Sequence, residues 1–591
     1  MGESKSHNAL DGLRQLRQLG SVRRASDTAK ALMTTDSHPL PLVSEMVDAL
    51  MVTHDYDLVQ QLLEKNPNPA HSGWIQQSLD LKWCLQFEPG IIDLERELME
   101  QFSDLGWLKL RYLNQLVLLK KFKVAKHFVG AQGLGGSPRL YFRLRYLLAL
   151  ALRWTEEVNR CVVVAFEKDQ RLLSAQEQIN IAAQYMQHCP TDGSQDFPPE
   201  IDHFLETCPI EGTLQITRLR LKRAVHRGSW QTVETILQNH SEFSESPLFV
   251  SASFWLAAAL DDISRARTTF RSKSHLLVNK ALRPCRVGEL IKLDGKSFST
   301  GSSIRLFTVV RDEATRIPWF LDFYRALGVN RFFFVDNGST DGTRELLLSQ
   351  PDVHVFYTDT KYSEGASGIV WLNELMNKFG RKGWNLYADV DEALVFPNSE
   401  RDGLHYLTRY MEKYGQEALP AFMLDMHARR GFAHSKSGLV ERDFVEAYPF
   451  FCADFRVEAT FMAPHYEVRG GGREHFFQDR TVQTKTPMIK GGRGIHFLGS
   501  SHTISPAVIS DVSAALLHFR MTDQFFAELD NDISHAHRAW HCDLRQVGYL
   551  TGEHKKPEAI GNPRMGFYEN SDSLVRAGLI SAPERYLANA P

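Results

Sequence analysis

Apolar positions in the first half of the chain recur at helical spacing, whereas those in the second half form short runs between glycine-rich turns. Sparse glycine and few β-branched runs predict almost continuous helix up to about residue 280. From Leu290 onward, short apolar runs, turns and helices alternate, as is typical of an α/β domain. The change falls at Arg283-Pro284-Cys285. The expected regions are 1–280 helical, 281–302 linker, 303–545 α/β domain and 546–591 C-terminal extension.

A weak repeat runs through the helical half. Each unit has a small turn, an aromatic or charged residue and then an amphipathic helix. The units begin near Asp55, Glu88, Lys121, Trp154, Trp230 and Asp262. Their starts are 32 or 33 residues apart, except for one gap of 76 residues that would hold a further unit near Asp196 and an insertion. This spacing is close to the ~34 residues of tetratricopeptide-like arrays, so we expect an α-solenoid; an irregular helical bundle is the alternative.

Four apolar runs in the second half predict strands separated by helices. They are Ile304 to Val310, Arg331 to Val335, Val353 to Tyr357 and Trp384 to Ala388. This β-α-β-α-β-α-β order predicts a mostly parallel sheet with right-handed crossovers.

Acidic residues end two of these strands. Asp336 begins a Gly/Ser/Thr-rich turn that extends to Thr343, at a carboxyl edge where α/β sheets bind ligands. An aspartate there can accept hydrogen bonds from a ribose or base, and the turn amides suit phosphate. The alternative is an ordinary turn in which Asp341 caps the next helix.

Asp389 and Asp391 follow the fourth strand. Residues i and i+2 of an extended segment project to the same side, so their carboxylates can converge. Such a pair repels unless a cation lies between them, and Mg²⁺ or Mn²⁺ bound to oxygen ligands and substrate phosphates is the usual solution. The alternative is one capping residue and one solvated residue.

Composition narrows the class of protein. The 591 residues are 43% hydrophobic and 24% charged, with a net charge of −3, which argues against nucleic acid as a partner. Seven scattered cysteines without CxxC spacing argue against a disulfide framework or a zinc module. The N-terminus lacks the apolar core of a signal peptide, and no apolar run reaches the ~18 residues that could span a bilayer. We expect a cytoplasmic protein without a transmembrane segment, and peripheral attachment at the inner membrane face stays open.

Three motifs, in chain order, carry a resemblance to a known family. They are Val309 to Glu313, Val335 to Thr343 and Ala388 to Glu392. Together they resemble glycosyltransferase family 2, which has the GT-A fold, a Rossmann-like and mostly parallel sheet. The closer likeness is to the family 2-like branch, because Pro318 to Leu321 and Tyr324 to Val329 lie between the first two motifs. The resemblance covers about residues 303 to 545.

The resemblance implies a role for each motif. Arg311, Glu313 and Asp336 would line the nucleotide pocket, with Asp336 toward the base or ribose. Asp389 and Asp391 would form the DxD pair that holds the metal on the nucleotide-sugar diphosphate. Trp371 and Asn373 lie where family members have a helix that faces the nucleotide.

Further motifs of the same branch follow. Gly470 to Glu474, Lys485 to Pro487, Ser500 to His502 and Leu517 to Arg520 resemble its patterns. His502 and His518 are candidates for a third metal ligand, since neutral imidazole can join carboxylates around Mn²⁺. A surface or core histidine is the alternative for each. Arg473, Lys485 and Arg520 could neutralise a departing diphosphate.

The catalytic base is the least defined residue. Inverting glycosyl transfer, which the family resemblance implies, needs a carboxylate that deprotonates the acceptor hydroxyl. Asp425, Asp454 and Glu474 lie at candidate positions downstream of the DxD pair, and none has the family's Glu-Asp motif. Glu474, beside a Gly-rich turn, has the most suitable distance along the chain, and Asp454 is close behind.

The expected function is a metal-dependent glycosyltransferase that moves a sugar from a nucleoside-diphosphate sugar to a hydroxyl of a glycan or lipid-linked glycan. Polysaccharide biosynthesis is the setting that family analogy suggests. The helical half would bind a partner, position a long acceptor or mediate self-association. Two alternatives are a nucleotidyltransferase, which would need a Gly/Lys-rich phosphate loop near Arg311, and a non-catalytic helical-repeat scaffold with a nucleotide-binding domain.

Overall fold

The computed structural model divides the chain into two compact units, Met1–Val278 and Asn279–Pro591. The structure describes residues 2–33, 38–53, 55–69, 71–85, 90–102, 105–118, 122–132, 137–152, 154–166, 173–188, 197–210, 212–277, 282, 289–297, 304–362, 365–427, 444–458, 467–477, 481–498, 500–520 and 564–588.

The first unit is helical throughout its described residues, as the sequence predicts. Its helices are α1 Gly2–Gln18, α2 Val22–Leu32, α3 Leu40–Val52, α4 Tyr56–Lys65, α5 Ser72–Leu85, α6 Gly90–Gln101, α7 Gly106–Leu118, α8 Phe122–Gln132, α9 Pro138–Leu152, α10 Thr155–Phe166, α11 Ala175–His188, α12 Pro199–Thr207, α13 Leu214–His226, α14 Trp230–Asn239, α15 Pro247–Ala259 and α16 Ile263–Lys273. Short 3₁₀ turns cover Ser241–Phe243 and Ser274–Leu276.

The helix starts match the repeat phase. α4, α10 and α16 each begin one residue after a predicted start, and α14 begins at the predicted Trp230. At the last of these, the Asp262 side chain accepts a hydrogen bond from the Arg265 N–H (2.8 Å) and so caps α16. The predicted starts at Glu88 and Lys121, and the unit expected near Asp196, lie outside the described residues.

The first helices of this unit contact its last ones. Ser21 Oγ donates to Glu245 Oε2 (2.8 Å), and Arg23 Nη2 donates to the carbonyl oxygen of Leu277 (3.3 Å). Gly20 has φ +72°, and a Cβ there would lie 2.7 Å from Leu214 Cδ2. An open array would leave its ends apart, so these contacts depart from a simple solenoid.

The second unit is built around one sheet. Its elements are β1 Ile291–Lys292, β2 Ile304–Val310, α17 Ile317–Leu327, β3 Arg331–Asp336, α18 Thr343–Ser349, β4 Val353–Tyr357, α19 Ile369–Phe379, β5 Trp384–Tyr387, β6 Glu392–Val395, α20 Ser399–Lys413, β7 Ala418–His427, α21 Phe444–Ala447, β8 Phe450–Cys452, β9 Phe455–Glu458, β10 Glu467–Gly470, α22 Gly471–Phe477, β11 Thr484–Lys490, β12 Phe497–Leu498, β13 Ser500–Ile504, β14 Ala514–His518, β15 Met565–Phe567, α23 Ser571–Arg576 and α24 Glu584–Leu587.

The sheet is mixed, with a parallel block at one side. Its order is β1-β4-β3-β2-β5-β11-β7-β14-β6, and β8 and β15 extend it from β7. The four strands predicted from the apolar runs are parallel neighbours, which confirms that prediction. Beyond β5 the strands are antiparallel except for β7 and β14. The predicted order therefore holds for the first half of the domain.

Helices cover both faces of the parallel block. Phe320 and Tyr324 of α17 pack on one face with Phe332 and Phe334 of β3. Trp371 and other residues of α19 pack on the opposite face. All these side chains are buried, so the alternation along β3 supplies two separate cores.

Two short strands extend the domain beyond its predicted limits. β1 lies in the predicted linker and pairs with β4, and β15 lies in the predicted C-terminal extension and pairs with β8. None of the helices in the described part of the chain has the length and apolar character needed to cross a bilayer.

Candidate active site

The strand order reverses beside β2. The chain runs from β2 through β3 to β4 on one side and then crosses to β5 on the other, and β2 pairs with β5 with Phe307 opposite Tyr387. Ligands of open α/β sheets bind in the crevice outside the carboxyl ends at such a reversal. Arg311 follows β2 and Asp389 follows β5, so both begin loops at this crevice.

Hydrogen bonds join the loop after β2 to the loop after β3. We call residues 311–316 and 336–343 the first loop cluster. Asp341 Oδ2 accepts from the Ala314 N–H (3.0 Å), and Asp312 Oδ1 accepts from the Thr340 N–H (2.6 Å). Burial opposes ionisation of Asp341, but its hydrogen bonds to Thr343 and Ala314 outweigh it and lower its pKa. These carboxylates therefore hold two loops together through main-chain amides.

Asp336 is fully buried in the first loop cluster. Its Oδ1 accepts from the Ser339 N–H (3.0 Å), and its Oδ2 accepts from Arg344 Nε (2.6 Å). The Arg344 guanidinium also lies over the Tyr357 ring, 4.7 Å from its centroid. Both carboxylate oxygens are thus engaged by the protein, and the predicted contact with a base or ribose stays a prediction.

Arg311 and Glu313 differ in how they are held. The Arg311 side chain is 37% exposed, with Nε 3.6 Å from Asp312 Oδ2. Glu313 Oε2 accepts from Arg316 Nη1 (2.7 Å). Arg311 is therefore the predicted pocket residue of this cluster that reaches solvent most.

Trp371 and Asn373 are buried on α19. A Cβ at Gly365 would lie 2.7 Å from the Trp371 ring, so the indole packs against the backbone of that turn. Asn373 exchanges two hydrogen bonds of 3.0 Å with the main chain of Phe497. Both side chains join α19 to its neighbours.

A second group of charged residues lies at the other side of the crevice. We call it the carboxylate cluster; it consists of Asp389, Asp391, Glu392, Asp425, Arg473, Lys485 and His518. The sheet register assembles part of it, because His518 of β14 stands opposite Glu392 of β6 and Asp425 of β7.

Asp425 orients His518. His518 Nδ1 lies 2.7 Å from Asp425 Oδ1, so Nδ1 carries a proton that it donates, since a carboxylate only accepts. Arg473 donates to both Asp425 oxygens (3.2 and 2.9 Å). Burial opposes the charge of Asp425, but Arg473 and His518 outweigh it and hold the pKa of Asp425 well below its usual range. The remaining ring nitrogen, Nε2, is the one directed at Asp391.

Asp391 faces His518 at a distance that leaves room for a cation. His518 Nε2 lies 3.6 Å from Asp391 Oδ2, which is too long for a hydrogen bond. Burial opposes ionisation of Asp391, but the charges of His518, Arg316, Arg520 and Lys485 lower its pKa to about 2. The Asp391 carboxylate is therefore ionised at neutral pH.

Asp389 is bound by protein groups on both oxygens. Tyr387 Oη donates to Oδ1 (2.7 Å), and Lys485 Nζ donates to Oδ2 (3.1 Å). Lys485 also donates to Glu392, which is fully buried. Burial opposes the charge of Lys485, but Asp389 and Glu392 outweigh it and raise its pKa. The Asp389 side chain is 35% exposed, so it is the acid of this group that reaches the crevice.

His502 and Arg520 lie around the same cluster. His502 Nδ1 lies 2.6 Å from the carbonyl oxygen of Thr484, which fixes Nδ1 as the donor. Burial and the Lys485 charge lower the pKa of His502 to about 4, so its imidazole is neutral at pH 7. Arg520 follows β14 and acts electrostatically on Asp391.

The two candidate bases lie at the glycine-rich turn. Glu474 Oε2 accepts from Arg456 Nη1 (2.6 Å), and Glu474 is the neighbour of Arg473 on α22. Asp454 is exposed and accepts from the Arg564 N–H (2.8 Å). Gly470 has φ +117°, and a Cβ there would lie 2.3 Å from the carbonyl oxygen of Asp454, so this approach needs glycine.

The donor set at Asp391 and His518 fits a divalent cation. The Asp391 Oδ2 oxygen and the His518 Nε2 nitrogen lie 3.6 Å apart, so both would contact one Mn²⁺ or Mg²⁺ ion at about 2.1 Å each once Nε2 gives up its proton to make room for the metal. A carboxylate on the far nitrogen, here Asp425, is the usual partner of a metal-bound histidine. Across the described residues, no group of three or more His, Cys, Asp or Glu side chains has metal-site spacing. Substrate phosphates and water would have to complete the set.

Sequence reasoning gave no separate role to three residues near this cluster. In the sequence, Glu392 is the last residue of the motif that contains the DxD pair, and no motif includes Tyr387 or Arg316. Tyr387 is two residues before Asp389 and shares its side of the chain, which is a usable signal. The hydrogen bond between Lys485 and Glu392 and the electrostatic effect of Arg316 on Asp391 join residues that are distant in sequence.

Comparison with known proteins adds no assignment. No family model matches this chain, and no curated protein matches it.

Proposed function

We propose that this chain is a metal-dependent glycosyltransferase with a GT-A domain in its second unit. It transfers a sugar from a nucleoside-diphosphate sugar to a hydroxyl of a glycan or lipid-linked glycan, as in cytoplasmic polysaccharide biosynthesis. The chemistry takes place at the crevice beside β2 and β5.

One observation carries the proposal: Asp391 and His518 face each other at 3.6 Å while Asp425 fixes the His518 tautomer. A carboxylate and an imidazole nitrogen in that arrangement, with a second carboxylate on the far ring nitrogen, are a donor set that a divalent cation can use in place of the Nε2 proton. Asp391 follows β5, which borders the reversal of strand order where α/β sheets bind nucleotides, and His518 ends β14, three strands further along the same sheet.

Acidic and imidazole groups of the site would bind the metal, and basic groups would face the diphosphate. Asp391 and His518 would hold Mn²⁺ or Mg²⁺, which when bound neutralises charge on the leaving diphosphate. Lys485 binds both Asp389 and Glu392, and Asp389, which the family resemblance places on the same metal as Asp391, reaches the crevice beside it. Arg311 and Arg520 bring positive charge to the edges of the crevice.

Transfer breaks the bond between the anomeric carbon and the diphosphate oxygen and forms a bond from that carbon to the acceptor oxygen. The acceptor proton passes to a carboxylate of the chain. Glu474 and Asp454 are the candidates, both beside the glycine-rich turn. Asp425 is less suited, because Arg473 and His518 already occupy both its oxygens.

Calorimetry of the full-length chain with UDP or GDP, with and without Mn²⁺, tests the proposal. We expect binding that needs Mn²⁺ and that Asp391→Ala abolishes. Asp322→Ala, which removes an 82% exposed acid on α17, is the matched control and should bind as the parent does. Absence of binding to either nucleotide in both conditions would contradict the proposal.

Turnover separates the proposal from its alternatives. A panel of nucleotide sugars incubated with Mn²⁺ should give nucleoside diphosphate by slow hydrolysis of the cognate donor. Binding without any turnover would favour a scaffold, and release of pyrophosphate from a nucleoside triphosphate and a sugar phosphate would favour a nucleotidyltransferase. Glu474→Gln and Asp454→Asn in the same assay with acceptor identify the base.

A further inference from the structure

Two positive charges lie one turn apart on α13 of the helical unit. Arg218 and Lys222 have i, i+4 spacing, so their side chains are neighbours on one helix face. Both side chains are partly buried. Like charges at this spacing repel each other, and burial adds to the cost because it removes water that would screen them.

No acidic group compensates these charges within the part of the chain that the structure describes. Arg218 and Lys222 make no hydrogen bond or ion pair there, and Arg218 Nε is buried without a partner. Other cations of α13 are satisfied: Arg220 Nε donates to the Leu205 carbonyl oxygen (2.7 Å), and Arg223 Nη1 donates to Asp202 Oδ1 (3.2 Å).

The electrostatics agree with this geometry. Burial lowers the pKa of Arg218. Burial also lowers the pKa of Lys222, and the neighbouring Arg218 charge lowers it further. A cation paired with a carboxylate would have its pKa raised instead, as Arg139 has beside Glu177.

The α13 face that carries Arg218 and Lys222 contacts the end of α1 at its N-terminal side. Leu214, one turn before Arg218, lies against Gly20 at the end of α1. The acidic residue near this contact, Glu245, already accepts hydrogen bonds from Ser21 (2.8 Å) and Arg24 (3.3 Å). The pair therefore lies on a helix face that packs toward other helices, where an uncompensated charge is costly.

We propose that Arg218 and Lys222 bind a small phosphate-type oxyanion within the helical unit. The two negative charges of such an anion neutralise the two positive charges, and its oxygens accept charge-assisted hydrogen bonds, including from the Arg218 guanidinium. Because the cations are partly buried among helices, the phosphate group comes from solution and not from the surface of a bilayer. This site is independent of the glycosyltransferase proposal.

Thermal unfolding of the full-length chain, with sodium phosphate replacing sodium chloride at constant ionic strength, tests this site. The variants are Arg218→Gln, Lys222→Gln and their combination. Lys126→Gln, which removes an exposed cation of α8, is the control. We expect the melting temperature of the parent and of the control to rise with phosphate concentration. Each single variant should need about tenfold more phosphate for the same rise, and the double variant should lose it.

Melting in phosphate-free buffer gives a second readout. Without a bound anion the two positive charges repel each other, so removing them should not lower the melting temperature. The double variant should melt at or above the temperature of the parent there. A lower melting temperature would overturn the proposal, since it would mean that the charges are compensated inside the chain. An undiminished phosphate response in the double variant would also overturn it, as would binding to phosphatidic-acid vesicles in the absence of any response to inorganic phosphate.

Discussion

The first loop cluster and the carboxylate cluster lie at the same edge of one sheet and use their acids in different ways. In the first, Asp312, Asp336 and Asp341 accept hydrogen bonds mainly from main-chain amides of adjacent loops. In the second, acids pair with side chains from distant strands, and one acid, Asp391, faces a histidine without a hydrogen bond. Acids that accept hydrogen bonds from nearby main-chain amides fix the shape of a loop, whereas an acid that faces an imidazole nitrogen without a hydrogen bond can bind a ligand. The hydrogen bonds of Asp336 therefore support the turn beside the crevice, and its contact with a base or ribose stays a prediction.

The largest difference between the clusters should appear in turnover. Asp391→Asn keeps the size of the side chain and removes its charge, so nucleotide-sugar turnover should fall about a thousandfold, the several kcal/mol of transition-state stabilisation that a bound metal supplies. Donor hydrolysis with Mn²⁺ measures this. Asp322→Asn should match the parent, and an active Asp391→Asn enzyme would remove Asp391 from the site.

Asp425→Asn probes the residue that supports the carboxylate cluster. Because it leaves Arg473 buried without its carboxylate, the free energy of unfolding should fall by about 3 kcal/mol. Metal affinity should fall about tenfold to a hundredfold, since the His518 tautomer is no longer fixed by a charge. Chemical denaturation and Mn²⁺ titration measure the two effects. A stability loss with unchanged Mn²⁺ affinity would show that Asp425 only stabilises the fold.

Asp336→Asn probes the first loop cluster. The amide cannot satisfy both the Ser339 N–H and the Arg344 guanidinium as a carboxylate does, so the unfolding free energy should fall by about 1 to 2 kcal/mol. Nucleotide affinity of the folded protein should change little. The opposite result, lost nucleotide affinity at unchanged stability, would place Asp336 against the ligand.

The smallest effect concerns a carboxylate of the helical unit. Burial opposes ionisation of Glu177, but hydrogen bonds from Arg139 and Ser174 outweigh it and lower its pKa from 4.5 to about 2. A lowered folded-state pKa stabilises the fold above pH 4.5, and this stabilisation is lost as the pH falls toward 2. Glu177→Gln should therefore flatten the pH dependence of helix unfolding in that window, measured by circular dichroism. Equal slopes in the parent and the variant would contradict this.

Local signals were sufficient for part of this architecture. The strands at Ile304, Arg331, Val353 and Trp384 could be predicted because each apolar run and its turn are contiguous in sequence. Their parallel order follows from the intervening helices. The position of Asp389 and Asp391 at the carboxyl edge follows in the same way.

The rest depends on long-range pairing that no local pattern encodes. β11 enters between β5 and β7 and carries Lys485 to Asp389, so two predicted ligand groups bind each other. β14 returns between β6 and β7, which places His518 beside Asp425. Strand register across such separations is set by packing of the whole sheet, and each one-residue shift would reverse the side that a residue faces.

The most direct test of the account is Mn²⁺ binding in the presence of UDP or GDP, followed by electron paramagnetic resonance on the full-length chain. Four proteins suffice: the parent, Asp391→Asn, His518→Gln and Asp336→Asn. We expect the parent and Asp336→Asn to bind Mn²⁺ alike, and Asp391→Asn and His518→Gln to bind it about tenfold to a hundredfold more weakly. Unchanged binding by Asp391→Asn, with loss of binding by a folded Asp336→Asn, would contradict the account.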